Sequence, residues 1–207
     1  MNDCYAMSEA DIAYVRRQFH RLDTLAAAHG YGMELVRGWI ERGSLPRPTY
    51  ILPDDSEWVP ENYFTLFECA DNEPAALRER FIGRWLTEMT RLGEDADADI
   101  AAREWESYLS GVYGLCLKEV SPENIARKER LVGRLTAALA APRPADPAWR
   151  RQLRDEVAAL DALERPFTDC DRVRLGGPVS RDRLIDAPRQ DYPDLFASVG
   201  EADRGHF

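Results

Sequence analysis

Two stretches of this chain hold residue types capable of chemistry at short range. The first is GVYGLCLKEVSPE, residues 111–123, where Cys116 lies two residues after Gly114, two before Lys118 and shortly before a helix start. A nearby cation and helix-terminal dipoles lower a thiol's pKa and favour the nucleophilic thiolate. A plainer reading has the same spacing: Val112 and Cys116 are one helical turn apart, as a small buried core residue would be. The second is CDRVRLGGPVSRDRLIDAPR, Cys170–Arg189, with Arg172, Arg174, Arg181, Arg183 and Arg189 around a Gly176-Gly177-Pro178 turn. Arginine forks suit carboxylates and phosphates, so this segment is a candidate binder of a defined anion. Its alternative is internal pairing with the interleaved Asp171, Asp182 and Asp186, as ordinary surface ion pairs.

A cysteine nucleophile needs a base. The histidines are His20, His29 and His206. His20 follows Phe19 on the first helix and can point inward, or serve only in packing. His29 precedes Gly30 and can complement a helix C-terminus; His206 is next to last. A carboxylate base such as Glu104 or Glu119 stays open beside them. Cys4, Cys69 and Cys170 have weaker neighbourhoods, and no C-x-x-C pair occurs. That pattern fits a reducing cytoplasm and predicts no structural metal. No Walker loop, dinucleotide fingerprint, zinc motif or G-x-S-x-G elbow is present, which weighs against those enzyme classes. Tyr50, Trp58, Tyr63, Trp105, Tyr108 and Tyr113 are expected as core and pocket walls for a ligand with an anionic end.

The elements that must position these residues are mainly helical. Ser8 with Asp11 marks a helix start, followed by Ile12, Val15, Phe19 and Leu22 at helical spacing. A short helix Asp23–His29 stops at Gly30, and a third runs from about Met33 to Arg42 before Gly43. Tyr50-Ile51-Leu52 and Trp58-Val59 form strand candidates around the turn Pro53–Ser56, and Pro60 suits a following helix carrying Tyr63, Phe64 and Phe67. A longer helix is predicted to about Leu92. Another carries Trp105, Tyr108, Val112 and Cys116, kinked at Gly111 and Gly114 or admitting something close to its backbone. Ser121-Pro122-Glu123 starts a helix bearing Ile125, Val132, Leu135 and Leu139. The last long helix carries Trp149, Leu153, Val157, Leu160 and Leu163. The 41 residues after Pro166 read as irregular. The expected domains are a winged helix-turn-helix-like module with a small β-hairpin at 1–70, a helical bundle at 71–165, and an Arg/Gly/Pro-rich segment packed on the bundle at 166–207.

The bulk numbers fit this. The chain has 207 residues, 44% hydrophobic and 31% charged, with a formal net charge of -10. It has no apolar run of about 18 residues, so no membrane span is expected. No secretion signal is visible at the N-terminus, and the expected location is cytoplasmic. The acidic balance weighs against nucleic acid as a partner.

Residues 10–70, through LDTLAAAHGYGMELVRGWIERGSLP, resemble the winged helix-turn-helix of MerR-type regulators and excisionases. Yet residues 1–70 hold 6 Arg and no Lys against 11 Asp and Glu, a net of -5. The would-be recognition helix offers only Arg37 and Arg42 beside Glu34 and Glu41. A DNA reader needs phosphate-neutralising charge, so the module reads as a scaffold or docking surface.

Three blocks, PTYILPDDSEWVPENYF, YLSGVYGLCLKEVSPENIARKERLV and LDALERPF…DRVRLGGPVSRDRLI, resemble a family of uncharacterised actinobacterial proteins linked to natural-product gene clusters. The amide-forming condensing enzyme of lincosamide antibiotic biosynthesis is a possible relative. The resemblance implies an acyltransferase-type reaction, in which an aminoacyl thioester on an acyl or peptidyl carrier protein is joined to a small-molecule amine acceptor such as an aminosugar. In this chain it implies Cys116 as nucleophile and His20 as base. It implies Arg172, Arg174, Arg181, Arg183, Lys118 and Tyr113 as substrate or carrier-binding residues. No cofactor is implied beyond the phosphopantetheine arm of the carrier. A non-catalytic accessory or protein-binding module is the alternative, and a winged-helix transcription regulator a third.

Overall fold

The computed structural model describes residues 7–70, 73–95 and 97–197. The N-terminal part runs α1 (Glu9–Gln18), β1 (His20–Arg21), α2 (Leu22–Ala28), α3 (Met33–Glu41), β2 (Tyr50–Ile51) and β3 (Glu57–Val59). Ser8 and Asp11 form the expected reciprocal cap of α1, with the Asp11 amide donating to Ser8 Oγ and the Ser8 amide to Asp11 Oδ2. The sheet is antiparallel in the order β1-β3-β2, with His20 opposite Val59 and Tyr50 opposite Trp58. Helix, strand, two helices across a tight turn, then a hairpin is the order of a winged helix. The strand β1 was not legible in the sequence, because two residues carry no period.

The remaining helices are α4 (Thr65–Glu68), α5 (Leu77–Arg91), α6 (Ala98–Leu109), α7 (Tyr113–Cys116), α8 (Pro122–Ala140) and α9 (Pro147–Leu163). Ser121 caps α8 through Asn124 and Asp146 caps α9 through Ala148, each with proline in the first turn. The fold is mainly α, as the periodicity predicts. The segment after Pro166 corrects the expectation of irregular chain. It forms α10 (Asp169–Arg174), a π-helical turn at Asp182–Asp186, α11 (Ala187–Asp191) and α12 (Pro193–Phe196). Thr168 and Asp171 make a second reciprocal cap there, and short helices broken by Gly, Gly and Pro give no readable stripe.

One apolar cluster runs from Tyr14 to Val179 through the N-terminal module, α5, α6, α7 and the start of α8. A second joins Leu131 and Leu135 of α8 to Trp149, Leu153, Val157 and Leu160 of α9 and to Leu184 and Ile185. Polar ties cross between the parts. Tyr14 donates to the Pro166 carbonyl at 2.7 Å, and Tyr50 to Asp171 Oδ1 at 2.9 Å. Arg165 is buried, lies over the Phe19 ring and donates to the carbonyls of Leu117, Lys118 and Gln18. Among the described residues no helix is long and apolar enough to cross a membrane.

Candidate functional site

Gly111 has φ +79°, which ends α6 and starts the separate turn α7 instead of a kinked single helix. The close approach expected at these glycines is present. A Cβ at Gly111 would stand 2.4 Å from the Arg47 carbonyl oxygen, and one at Gly114 2.0 Å from Thr49 Oγ1. The segment 46–49 therefore lies directly on the backbone of α7. After Cys116 the chain turns extended at Leu117, which bridges antiparallel to Glu164 at the end of α9. The Arg165 amide donates to the Cys116 carbonyl at 2.8 Å, and the Lys118 amide to the Leu163 carbonyl at 2.9 Å.

This crossing assembles a buried polar cluster from four parts of the chain. Lys128 of α8 is the cation whose charge acts on the Cys116 thiol, and its Nζ lies 2.7 Å from Glu164 Oε1. Its Nζ is 3.3 Å from Ser180 Oγ, and Ser180 donates to Glu164 Oε1 at 2.5 Å. Glu164 is fully buried, and its Oε2 has no hydrogen-bond partner among the described residues. Burial pushes the Cys116 thiol pKa above its ordinary value; the Lys128 ammonium opposes that shift and Glu164 reinforces it. For Lys128 burial works downward, but the sulfur and the Glu164 carboxylate outweigh it and raise its pKa, so the lysine stays charged.

A second group adjoins it. Tyr113 donates its hydroxyl to Glu104 Oε2 and its carbonyl accepts from the Cys116 thiol at 3.5 Å. Burial, then Glu104, raises the Tyr113 pKa. Burial and the neighbouring Glu104 lift Glu129 to about 6.

The structure redraws much of the expected site. Cys116 is 7% exposed, and its sulfur is not lined by the C-terminal guanidinium groups. Lys118 is not its cation: the extended turn at Leu117 sends that side chain to the carbonyls of Asp161 and Ala162, where it caps α9. His20 stands exposed on β1 and makes no polar contact with Cys116, because strand pairing with Val59 holds it at the sheet edge. The charged partner of the thiol is Lys128 instead.

The arginines are mostly engaged internally. Arg172 grips Asp182 at 2.7 Å and also donates to the Phe167 carbonyl. Arg181 and Arg189 both hold Asp161, at 2.5 and 2.8 Å. Arg174 donates to the Thr49 carbonyl and lies over the Tyr50 ring, which docks α10 on β2. Arg183 is exposed, without a polar partner among the described residues. His29 pairs with Glu68 at 2.6 Å. Cys4 and His206 lie outside the described residues.

A signal for Lys128 and Glu164 was in the sequence. Ile125, Val132 and Leu135 leave a gap in the α8 stripe that Lys128 fills at the i+3 position. Glu164 likewise continues the α9 stripe one turn beyond Leu160. A charge on an apolar stripe is a buried charge, and a buried charge needs partners.

The chain was compared with known proteins. A family model described as a family of unknown function (DUF6058) matches residues 75–193, more than half of the chain and all four members of the buried cluster. No curated protein and no solved structure matches.

Proposed function

The chain belongs to the DUF6058 family, and we propose that it is an acyl-transferring enzyme whose nucleophile is Cys116 and whose proton relay is Lys128 with Glu164. The observation that carries this reading is one largely buried ammonium that pairs with a carboxylate and a hydroxyl and whose charge acts on the neighbouring thiol. Nucleophile, relay and orienting group is the arrangement of nucleophilic catalysis generalised beyond histidine. Burial of a lysine and a glutamate carries a desolvation cost, and perturbed groups of this kind gather at functional sites.

In the proposed reaction the Cys116 proton passes through Lys128 to the Glu164 carboxylate. The thiolate attacks the carbonyl carbon of an acyl thioester and a covalent acyl-enzyme forms. The C–S bond of the donor breaks, and the departing thiolate takes the proton back from the relay and leaves as the free thiol. An amine then attacks the acyl-enzyme, an amide bond forms, the amine's proton leaves by the same relay, and Cys116 returns as the thiol. The donor that the family resemblance implies is an aminoacyl group on a carrier protein, and the acceptor a small amine. At 7% exposure the sulfur meets such a donor only once the covering segments part, and that opening belongs to the proposal.

Intact-protein mass spectrometry tests it, with an aminoacyl N-acetylcysteamine thioester and the same aminoacyl group on a carrier protein as donors. An adduct of the acyl mass is expected on the wild type and on Cys69→Ala, and is expected to be lost in Cys116→Ala and Lys128→Met. No adduct from either donor, or an adduct that survives Cys116→Ala, overturns the reading. A second reading, a non-catalytic protein-binding module, is favoured by the same low exposure of the sulfur. The exposed Ile51, Val173 and Leu175, on segments joined through Arg174, support it too. It predicts no adduct under any condition.

A further inference from the structure

The buried polar cluster has one end that faces outward. Ser180 is half-buried and the Lys128 side chain 14% exposed, whereas Glu164 lies at 0% and Cys116 at 7%. Ser180 follows the Gly176-Gly177-Pro178 turn, whose glycines stand at φ +79° and +131°, a region that strains any side-chained residue. Nothing lies within 4 Å of a Cβ placed on either glycine, so the space beside this turn is open. Asp182 fixes the turn by accepting from the Val179 amide at 3.0 Å, and the π-helical stretch Asp182–Asp186 follows at once. Such stretches recur beside functional sites.

The Ser180 hydroxyl has the partners of an activated nucleophile. It donates to Glu164 Oε1 at 2.5 Å, and Lys128 Nζ lies 3.3 Å from the same serine oxygen. The carboxylate can take the hydroxyl proton, and the ammonium offsets the charge that then develops on the oxygen. Serine activated by an adjacent base, with lysine in place of histidine, is an established solution to acyl transfer. Glu164 Oε2 is buried without a hydrogen-bond partner among the described residues. An orphaned carboxylate oxygen is costly where stability alone is served, and it gives an entering water a group to donate to.

We propose that Ser180 is a second nucleophile and gives the protein an ester hydrolase activity towards small carboxylic esters. The hydroxyl proton passes to Glu164 as Oγ attacks the ester carbonyl carbon. The bond to the alcohol oxygen breaks, the departing alkoxide takes a proton from Lys128, and Lys128 recovers one from Glu164. Water then attacks the Ser180 ester and gives a proton to Glu164. The Oγ–C bond breaks, Oγ takes that proton back, and the carboxylic acid leaves. Acyl-Ser180 faces solvent and turns over, so it does not build up as an acyl adduct on buried Cys116 does. The activity shares Lys128 and Glu164 with the Cys116 reading but does not require Cys116 to react.

A fluorophosphonate, which traps activated serines irreversibly, tests it on the full chain with peptide mass mapping. One phosphonyl group is expected on Ser180 of the folded wild type, with exposed Ser8 and Ser110 unlabelled. Urea-unfolded protein should not label, which shows that the fold and not the peptide supplies the reactivity. This mapping uses the wild type and so does not depend on the folding of any variant. Hydrolysis of p-nitrophenyl acetate should be blocked by the phosphonate and lost in Ser180→Ala. It should fall at least about a hundredfold in Glu164→Gln, the loss of a general base, and stay unchanged in Cys69→Ala. The proposal is overturned by no label on Ser180, by equal labelling of exposed serines or of unfolded chain, or by ester hydrolysis that survives Ser180→Ala. Thioester donors report on Cys116 and the phosphonate on Ser180, so either reading can fail alone.

Discussion

The buried cluster around Lys128 and the arginine-rich segment of α10 and α11 both concentrate charge, and they use it in opposite ways. In the segment, Arg172, Arg181 and Arg189 have aspartate partners, and the side chains stay between about a fifth and two fifths exposed. Water screens those pairs, so each adds little and each is replaceable. In the cluster, Glu164 is at 0% and Lys128 at 14% side-chain exposure. There the partners are mutually indispensable, because either one alone is an uncompensated charge out of water. Density of charge along the chain and depth of charge in the fold therefore point to different places. The deep pair, not the dense one, acts on the cysteine.

The largest effect should come from splitting the deep pair. Lys128→Met is expected to destabilise by about 3–5 kcal/mol in urea denaturation, since it strands the Glu164 carboxylate. The double variant Lys128→Met with Glu164→Leu should recover most of that loss, as apolar replacement of both partners usually does. A double variant no better than the single would mean the pair is not coupled. Reactivity sharpens the same contrast. Exposed Cys69 should be alkylated by iodoacetamide well before buried Cys116 in the folded wild type, with peptide mass mapping as the readout.

Glu88 and Glu129 give the next largest effects, with opposite signs. Glu88 is held at about 2 by Arg91, against burial, with Arg127 adding to the pull. Its folded pKa is depressed, so its contribution is present above 4.5 and is lost as pH falls from 4.5 towards 2. With both arginines half-exposed, that contribution is about 1–3 kcal/mol. Glu129 is raised to about 6, so the stability tied to its protonated form is full below 4.5 and lost as pH rises through 6. At pH 7 Glu88→Gln should therefore destabilise, while Glu129→Gln should stabilise by about 1 kcal/mol. Denaturation midpoints measured from pH 3 to 8 check both signs, and a pH-independent difference for either variant would break the assignment.

Legibility followed the length of the elements. The caps at Ser8 and Ser121 located the starts of α1 and α8, and the apolar stripes of α8 and α9 placed those helices, while α1 ends four residues before Leu22, to which its stripe runs. Elements shorter than a period, such as β1, α10 and the π-helical turn, give no such signal and were missed or read as irregular. For the site, Cys116 could be singled out, but its surroundings could not. Lys118 is near in sequence and Lys128 is near in space, because the chain reverses at Leu117 and pairs with Glu164. Only a long-range bridge decides between the two lysines, and local spacing holds no trace of it. The charged residues Lys128 and Glu164 on the apolar stripes of α8 and α9 were the local clues.

The smallest effect tests the shallow side of the comparison. Asp182 accepts both Arg172 donors and caps the Val179 amide at 3.0 Å, which is good geometry for a surface pair. Even so, Asp182→Asn should cost no more than about 1 kcal/mol, because the amide still accepts from Val179 and solvent takes over the guanidinium. The loss should shrink in about 1 M salt, where screening already weakens the native pair. The Lys128→Met penalty should not shrink, since ions do not reach the buried site. If both penalties respond to salt alike, the two regions do not differ in dielectric environment, and the argument that ties function to the buried pair fails with that distinction.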